Sequence, residues 1–251
     1  MGAIMPVDIS PGILDELKKF DSPTVSNVIE LFEVRPHSNG YMNSSIKALF
    51  PEMPAVVGYA STVTFRSAHP QAKDENTSSF FAHLEELLTL PAPRIVVFED
   101  LDTPPAGATF GEVMCAVYQR LECAALITSG VGRDLDAVKK MGFPAFASAV
   151  CVAHGYGRIE DVHRPVHVGG MTVRPGDLIH ADGNGVVIIP NNLAEEVARA
   201  CPLWIDAEKV VLDYLKEDEV NIDGLRGGFG ELKAKLEAIV KSGPGQSEGL
   251  I

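Results

Sequence analysis

Two glycine-bearing turns hold the residue types best suited to chemistry: GATFGEVM at 107–114 and SGVGRD at 129–134. In the first, Gly107 and Gly111 let the backbone turn sharply and approach a ligand. A helix starting after Gly111 leaves the amides of Glu112, Val113 and Met114 as unpaired donors, suited to a carboxylate or enolate oxygen. In the second, Arg133 supplies a planar fork that grips a carboxylate through two bonds. Asp134 beside it is a hard oxygen ligand of the kind Mg²⁺ or Mn²⁺ takes. An anion grip next to a metal ligand suits a 2-oxo acid, whose carboxylate and keto oxygen together chelate a cation. A plainer reading is also open, in which Asp134 caps a helix and Arg133 makes a surface ion pair.

The elements that must position these turns follow from local patterning. PGILDELKKF (11–20) reads as a short amphipathic helix, and a second starts at Ser22 with Pro23 in its first turn. Residues 35–54 read mostly as loop. Residues 55–66 carry a strand signal and 77–90 a helical one, while RIVVF (94–98) reads as a buried strand that ends in Glu99 and Asp100. From there the chain alternates: turn 103–111, helix, strand 124–128, the SGVGRD turn, helix 135–143, strand 144–150. This alternation predicts a parallel βαβ core with right-handed crossovers. Ligands collect outside the carboxyl ends of such strands, which is where both turns fall. Residues 165–190, with GG, RPGD and DGNG turns, read as a mixed or antiparallel β unit. A helical stretch at 192–217 is expected to break near Pro202. GLRGGFG (224–230) is expected to break the tail before a last helix at 231–241, with a frayed GPGQSEG end.

The chain has 251 residues with 34 acidic and 21 basic side chains, a formal charge of -13. That balance argues against nucleic acid as a partner, since phosphate-backbone binding rests on clustered Lys and Arg. It argues equally against an anionic lipid surface. No run approaches a membrane span, and MGAIMPVDISPG lacks the basic and apolar regions of a signal peptide. Four cysteines (Cys115, Cys123, Cys151, Cys201) without CxxC spacing sit in apolar segments and read as buried free thiols in a reducing, cytoplasmic setting. One domain over 1–251 is expected, with a core at about 20–215 and a helical C-terminal extension at about 216–251.

Other candidates are weaker. Pro165 between His163 and His167 rules out a helical ligand pair, and His154 and His180 are isolated. Asp177 and Asp182 suit Asx turns that pin hairpins, and Trp204 suits packing. GVGRDL has only two glycines of a dinucleotide fingerprint, and no GxSxG, Walker A or HExxH pattern occurs.

Residues 107–143 and 169–190 (GGMTVRPGDLIHADGNGVVIIP) resemble the family of 4-hydroxy-4-methyl-2-oxoglutarate aldolases and regulator of ribonuclease activity A (RraA)-like proteins. The order of motifs carries the resemblance: a glycine-acidic helix start, an RD turn, then PGD followed by aDxxGvvxxP. The resemblance implies an α/β fold, a swivelling β/β/α domain with a parallel βαβ core, a mixed β unit and a helical C-terminal extension. It implies a divalent-metal-dependent class II retro-aldolase that releases pyruvate from 4-hydroxy-2-oxo acids and decarboxylates oxaloacetate. Assembly as a homotrimer or a dimer of trimers, with active sites between subunits, is implied as well. On this matching Gly111 through Met114 bind pyruvate oxygens, Arg133 binds substrate and Asp134 binds Mg²⁺ or Mn²⁺. Glu112 stands near metal-bound waters, and Glu208 is contributed across the subunit interface. The alternative within the family is a non-catalytic regulator that binds a protein partner.

The sequence departs from the family pattern at three places. The usual DGxVRD turn is SGVGRD, with Ser129 and Gly132. Glu112 is one methylene longer than the usual Asp, and Asn27 stands where the early helix often has Asp. None of these touches Arg133 or Asp134.

Overall fold

In the computed structural model, residues 9–72 and 77–241 are described. The first eight residues and the GPGQSEG end lie outside them. Helix α1 (Pro11–Leu17) is followed by α2 (Ser22–Leu31). Pro23 occupies the first turn of α2, and Asp21 caps it by accepting from the Thr24 amide at 2.8 Å. Then come β1 (Lys47–Ala48), β2 (Val56–Arg66), α3 (Phe80–Leu87), β3 (Arg94–Asp100), β4 (Ala108–Phe110), α4 (Glu112–Arg120), β5 (Cys123–Thr128), β6 (Val131–Gly132) and α5 (Leu135–Lys140). The remainder is β7 (Ala145–Ala147), β8 (Ala149–Val150), β9 (Arg158–Val162), β10 (Val166–Val168), β11 (Met171–Val173), β12 (Leu178–Asp182), β13 (Gly185–Ile189), α6 (Ala194–Tyr214) and α7 (Ile222–Lys241).

The main sheet runs β1-β7-β5-β3-β2-β12-β13, with β9 also paired to β2. β2, β3, β5 and β7 are parallel neighbours, the predicted βαβ core. β2 is buried nearly end to end because it is central. One edge pairs with β3; the other pairs first with β12 and then with β9. Val57, Tyr59, Val63 and Phe65 face the helices, while Ala60 packs with Ile95 and Val97 against the β10–β11 hairpin. The result is the expected β/β/α layering: hairpin, sheet, helices. Among the described residues no helix is long and apolar enough to cross a membrane.

The structure corrects four boundaries. The two turns each contain a short strand, and the 144–150 run divides at Ser148 into β7 and β8. β4, β6 and β8 form a separate parallel sheet of three strands. Strands of two or three residues leave no periodicity to read. α6 runs unbroken through Pro202. The missing donor removes one helical bond, but burial of Val197, Ala198, Cys201 and Ala207 on both sides holds the helix together. The glycines at 224–230 lie inside α7. A side chain at Gly224 would overlap the Tyr214 ring of α6, so the small residue is what lets the two helices meet.

Candidate active site

The small sheet extends the main one past the carboxyl ends of its parallel strands, and the pivot lies between Thr128 and Gly130. The Gly130 amide donates to Thr128 Oγ1 at 2.9 Å. Its carbonyl accepts from the Ser148 amide at 3.0 Å and the Ser148 hydroxyl at 2.6 Å. Ser129 Oγ accepts from the Asp100 amide at 2.8 Å, tying the end of β3 to the pivot. The serine that departs from the family pattern thus has a defined structural task. A side chain on Gly130 would lie 2.5 Å from both Asp100 Oδ2 and Thr109 Oγ1.

Beyond the pivot, β6 delivers Arg133, whose amide donates to the Phe110 carbonyl at 3.2 Å. Gly132 faces the Phe110 ring, and any Cβ there would overlap it. The second departure therefore makes room for a buried aromatic side chain, whose burial contributes about 2 kcal/mol. Asp134 then takes left-handed backbone angles, φ 57° and ψ 37°. Asp tolerates this region better than most residues, at a cost of about 1–2 kcal/mol. Successive side chains of a strand point to opposite faces. The left-handed turn defeats that alternation, and Asp134 Oδ2 lies 3.8 Å from Arg133 Nε.

The carboxylate does not cap the helix that Asp134 opens. No side-chain cap bond is made to α5. Instead Oδ2 accepts from the Glu112 amide at 3.0 Å, at the start of α4. There it gains from the helix dipole. Gly111 makes the approach possible, since an added Cβ would lie 2.5 Å from Asp134 Oδ2 and 3.1 Å from Arg133 Nε. One of the three expected helix-start donors is therefore already used. The amides of Val113 and Met114 have no acceptor among the described residues. Asp134 Oδ1 likewise has no protein partner there. Both side chains are open to solvent, Arg133 at 34% and Asp134 at 44%.

Gly111, Glu112, Val113, Arg133 and Asp134 thus converge. Met114 contributes only its backbone, because its side chain packs into the core beneath. Cys115 lies buried under the site, and burial followed by the nearby Asp134 charge pushes its thiol up to about 12. It serves packing, not nucleophilic attack. The other cysteines are free as well; Cys123 and Cys201 are buried as expected, while Cys151 is only half-buried. As for a metal, no cluster of three or more His, Cys, Asp or Glu exists among the described residues. A single exposed carboxylate with one free oxygen does not fit a zinc cage. It fits Mg²⁺ or Mn²⁺, which retain waters and are often held by one or two carboxylates.

A family model described as RraA-like, Aldolase/RraA, matches residues 22–188, both turns and the PGD segment included. The chain belongs to the RraA-like family. A relative from Halalkalibacterium halodurans, provisionally named a 4-hydroxy-4-methyl-2-oxoglutarate aldolase, is 31% identical over 157 residues, 62% of this chain and 69% of its own. Protein DlpA of Legionella pneumophila is 23% identical over 192 residues, 76% of this chain but only 29% of its own length. An uncharacterized protein from Pseudomonas syringae pv. tomato superposes with a TM-score of 0.70 at 20% identity, covering 91% of this chain and 99% of that one. RraAS2 of Streptomyces coelicolor, described as an unusual member of the RNase ES inhibitor RraA family, gives 0.64 at 22%, covering 84% and 99%. At these identities the two structures speak to the fold.

The remaining candidates fall elsewhere in this RraA-like chain. Glu208 lies on α6, which packs with α1, α2 and α7 and not with α4 or α5. Within one chain it does not join the cluster. Asn27 lies on α2 beside a different cavity. Asp177 and Asp182 do make turns: Asp177 Oδ2 accepts from the Arg174 amide at 2.7 Å, and Asp182 Oδ1 from the Asn184 amide at 2.8 Å. His180 is fully buried, with Nδ1 2.9 Å from the Ser22 hydroxyl. Its Nε2 lies near the carbonyls of Leu17 and Phe20. Those acceptors place the ring proton on Nε2, so Ser22 donates to Nδ1 and the histidine staples α1 and α2 to β12. Trp204 packs at the edge of the helical core. His167 Nε2 lies 3.0 Å from the Thr172 hydroxyl, and His163 opens a turn with φ 56°.

Sequence reasoning missed the apolar rim. Val113 is 77% exposed, Val150 53% and Val152 94%. Val150 pairs with Gly132 in the small sheet, next to Arg133. The sequence reads 144–150 as one strand, and only its division into β7 and β8 turns Val150 outward.

Proposed function

We propose that this chain is a carbon–carbon lyase acting on small 2-oxo acids. It would be a divalent-metal-dependent retro-aldolase that releases pyruvate from 4-hydroxy-2-oxo acids and also decarboxylates oxaloacetate. The observation that carries the reading is the Asp134 carboxylate seated over Gly111. It is fixed by the Glu112 amide beside Arg133, with its second oxygen and two helix-start amides left free.

Arg133 grips the substrate carboxylate through its fork, and the Val113 and Met114 amides offer donors to an adjacent oxygen. Asp134 would hold Mg²⁺ or Mn²⁺, which as a Lewis acid favours charge on the keto oxygen. In the retro-aldol direction a base removes the C4 hydroxyl proton. The C3–C4 bond breaks, its electron pair forms the enolate of pyruvate, and a proton returned to C3 completes the product. Oxaloacetate loses CO₂ to reach the same enolate and needs no hydroxyl proton. Glu112, whose amide binds Asp134, would move the proton with its exposed carboxylate. Glu208 would join from a second copy in a homotrimer or a dimer of trimers. Val113, Val150 and Val152 support such a contact, as large exposed apolar groups around a polar site mark interfaces.

The same rim favours the second reading, a non-catalytic regulator whose apolar face binds another protein. One experiment separates the two. Oxaloacetate and 4-hydroxy-4-methyl-2-oxoglutarate are supplied with Mg²⁺ or Mn²⁺, and pyruvate is coupled to a reporter. Metal-dependent pyruvate release that disappears in Asp134→Ala supports the lyase. Absence of release from either substrate with either metal leaves the binding protein.

A further inference from the structure

A cavity of about 530 Å³ opens where the loop at 35–41 meets the β10–β11 hairpin and the end of β13. It shares no lining residue with the Arg133–Asp134 site. Two of the chain's few arginines line it, Arg35 and Arg174, with Ser38, Asn39 and Thr172 as further donors.

Arg35 is the anomaly. Its guanidinium is half-buried against Gly40, whose left-handed φ of 91° and missing side chain make the space; a Cβ there would overlap the guanidinium. Burial pushes this group below its ordinary value, with Glu30 the opposing charge. Yet among the described residues Arg35 makes no hydrogen bond and no ion pair within 4 Å. Arg174 is exposed and also makes none through its side chain; the charge acting on it is Asp177. Buried charges are ordinarily paired, because desolvation without a partner is expensive. In a chain of net charge -13, neither guanidinium of this cavity is engaged by a hydrogen bond or a close ion pair among the described residues, so both forks are open to an anion. Asp177 also lines the cavity, but one of its oxygens is held by the Arg174 amide, and its role is to pin the turn.

We propose that this cavity is a second ligand site, taking a small oxyanion, a carboxylate or a phosphate monoester, between the forks of Arg35 and Arg174. The volume lies within the range of small-molecule sites, and planar forks match both oxyanion classes. The ligand would be an effector or a second substrate group, bound apart from the lyase site.

The test is calorimetric titration of the full chain with inorganic phosphate and, separately, with succinate, at constant ionic strength. Saturable binding of at least one anion is expected. It should weaken by about tenfold or more in Arg35→Gln and in Arg174→Gln, the loss of a charge-assisted pair. Arg35→Lys should recover part of it, and Arg133→Gln should leave it intact. The stronger of the two anions identifies the ligand class. Absence of saturable binding, binding unchanged in both arginine variants, or binding lost only in Arg133→Gln would overturn the proposal. So would a change of sedimenting species in Arg35→Gln, which would make the arginine a subunit contact. Arg174 is exposed, so its variant carries the test if Arg35→Gln fails to fold.

Discussion

Asp134 caps a helix to which it does not belong: its Oδ2 accepts the Glu112 amide proton at 3.0 Å across the junction of two βα units. That bond locks the start of α4 to the end of β6 and sets which carboxylate oxygen remains free. The helix-cap reading and the ligand reading of this residue are therefore not alternatives. One oxygen makes the cap, and the other is left open for the proposed metal.

Asp134→Asn and Asp134→Ala should separate the two roles. Asn retains an acceptor oxygen for the Glu112 amide and tolerates the left-handed angles. Its melting temperature should stay near that of the parent while metal-dependent pyruvate release is lost. Ala should lose activity and also about 1 kcal/mol of stability, measured by denaturant titration. Equal activity in Asn and parent would remove Asp134 as a metal ligand.

Gly111→Ala probes the floor of the site. Gly111 is extended, with φ -154°, so alanine adds no backbone strain. Its methyl would lie 2.5 Å from Asp134 Oδ2 and must displace the carboxylate. A shift of about 1 Å at a catalytic group costs about 10²-fold in rate. Turnover should fall by that order, while stability falls by no more than the about 1 kcal/mol of the displaced Glu112 bond. Parental turnover in Gly111→Ala would show that the carboxylate position is not critical.

The βα alternation was legible because each long element carries its own period, and the candidate site was legible because Gly111, Arg133 and Asp134 sit at strand-to-helix junctions. It hid the small sheet, since β6 and β8 have two residues each and no period. It also hid the reason for Gly132, because Phe110 lies 22 positions away and only the pairing of β4 with β6 brings the two together. Glycines and a proline are locally helix breakers, yet tertiary packing of α6 and α7 outweighs that local preference.

Gly132→Val restores the residue usual in the family turn and should harm this protein. The side chain would overlap the Phe110 ring, and overpacking of this kind costs about 1–3 kcal/mol. Phe110→Leu makes room but gives up aromatic burial. The double variant should be more stable than the sum of the two single changes allows, by on the order of 1 kcal/mol in a double-mutant cycle. Strict additivity would place the two residues out of contact.

Asp100 should give stability a distinctive dependence on pH. It sits buried at the end of β3 with Oδ2 unpartnered, and burial raises its carboxyl to about 6. The folded chain therefore binds this proton more tightly than the unfolded chain, whose carboxyl titrates near 3.8. The stabilising contribution is complete below pH 3.8 and fades as pH rises through 6. His83 acts in the opposite sense. It is fully buried among Phe98 and Tyr118, and burial lowers its imidazole to about 4. Its contribution is present above about 6.5 and is lost as pH falls toward 4. The two slopes oppose each other between pH 4 and 6, so the parent alone reveals neither. Denaturant titrations of Asp100→Asn against the parent should show the parent losing its relative advantage from pH 4 to pH 7. An Asn variant whose stability difference is flat over that range would mean the carboxyl is not held protonated in the fold.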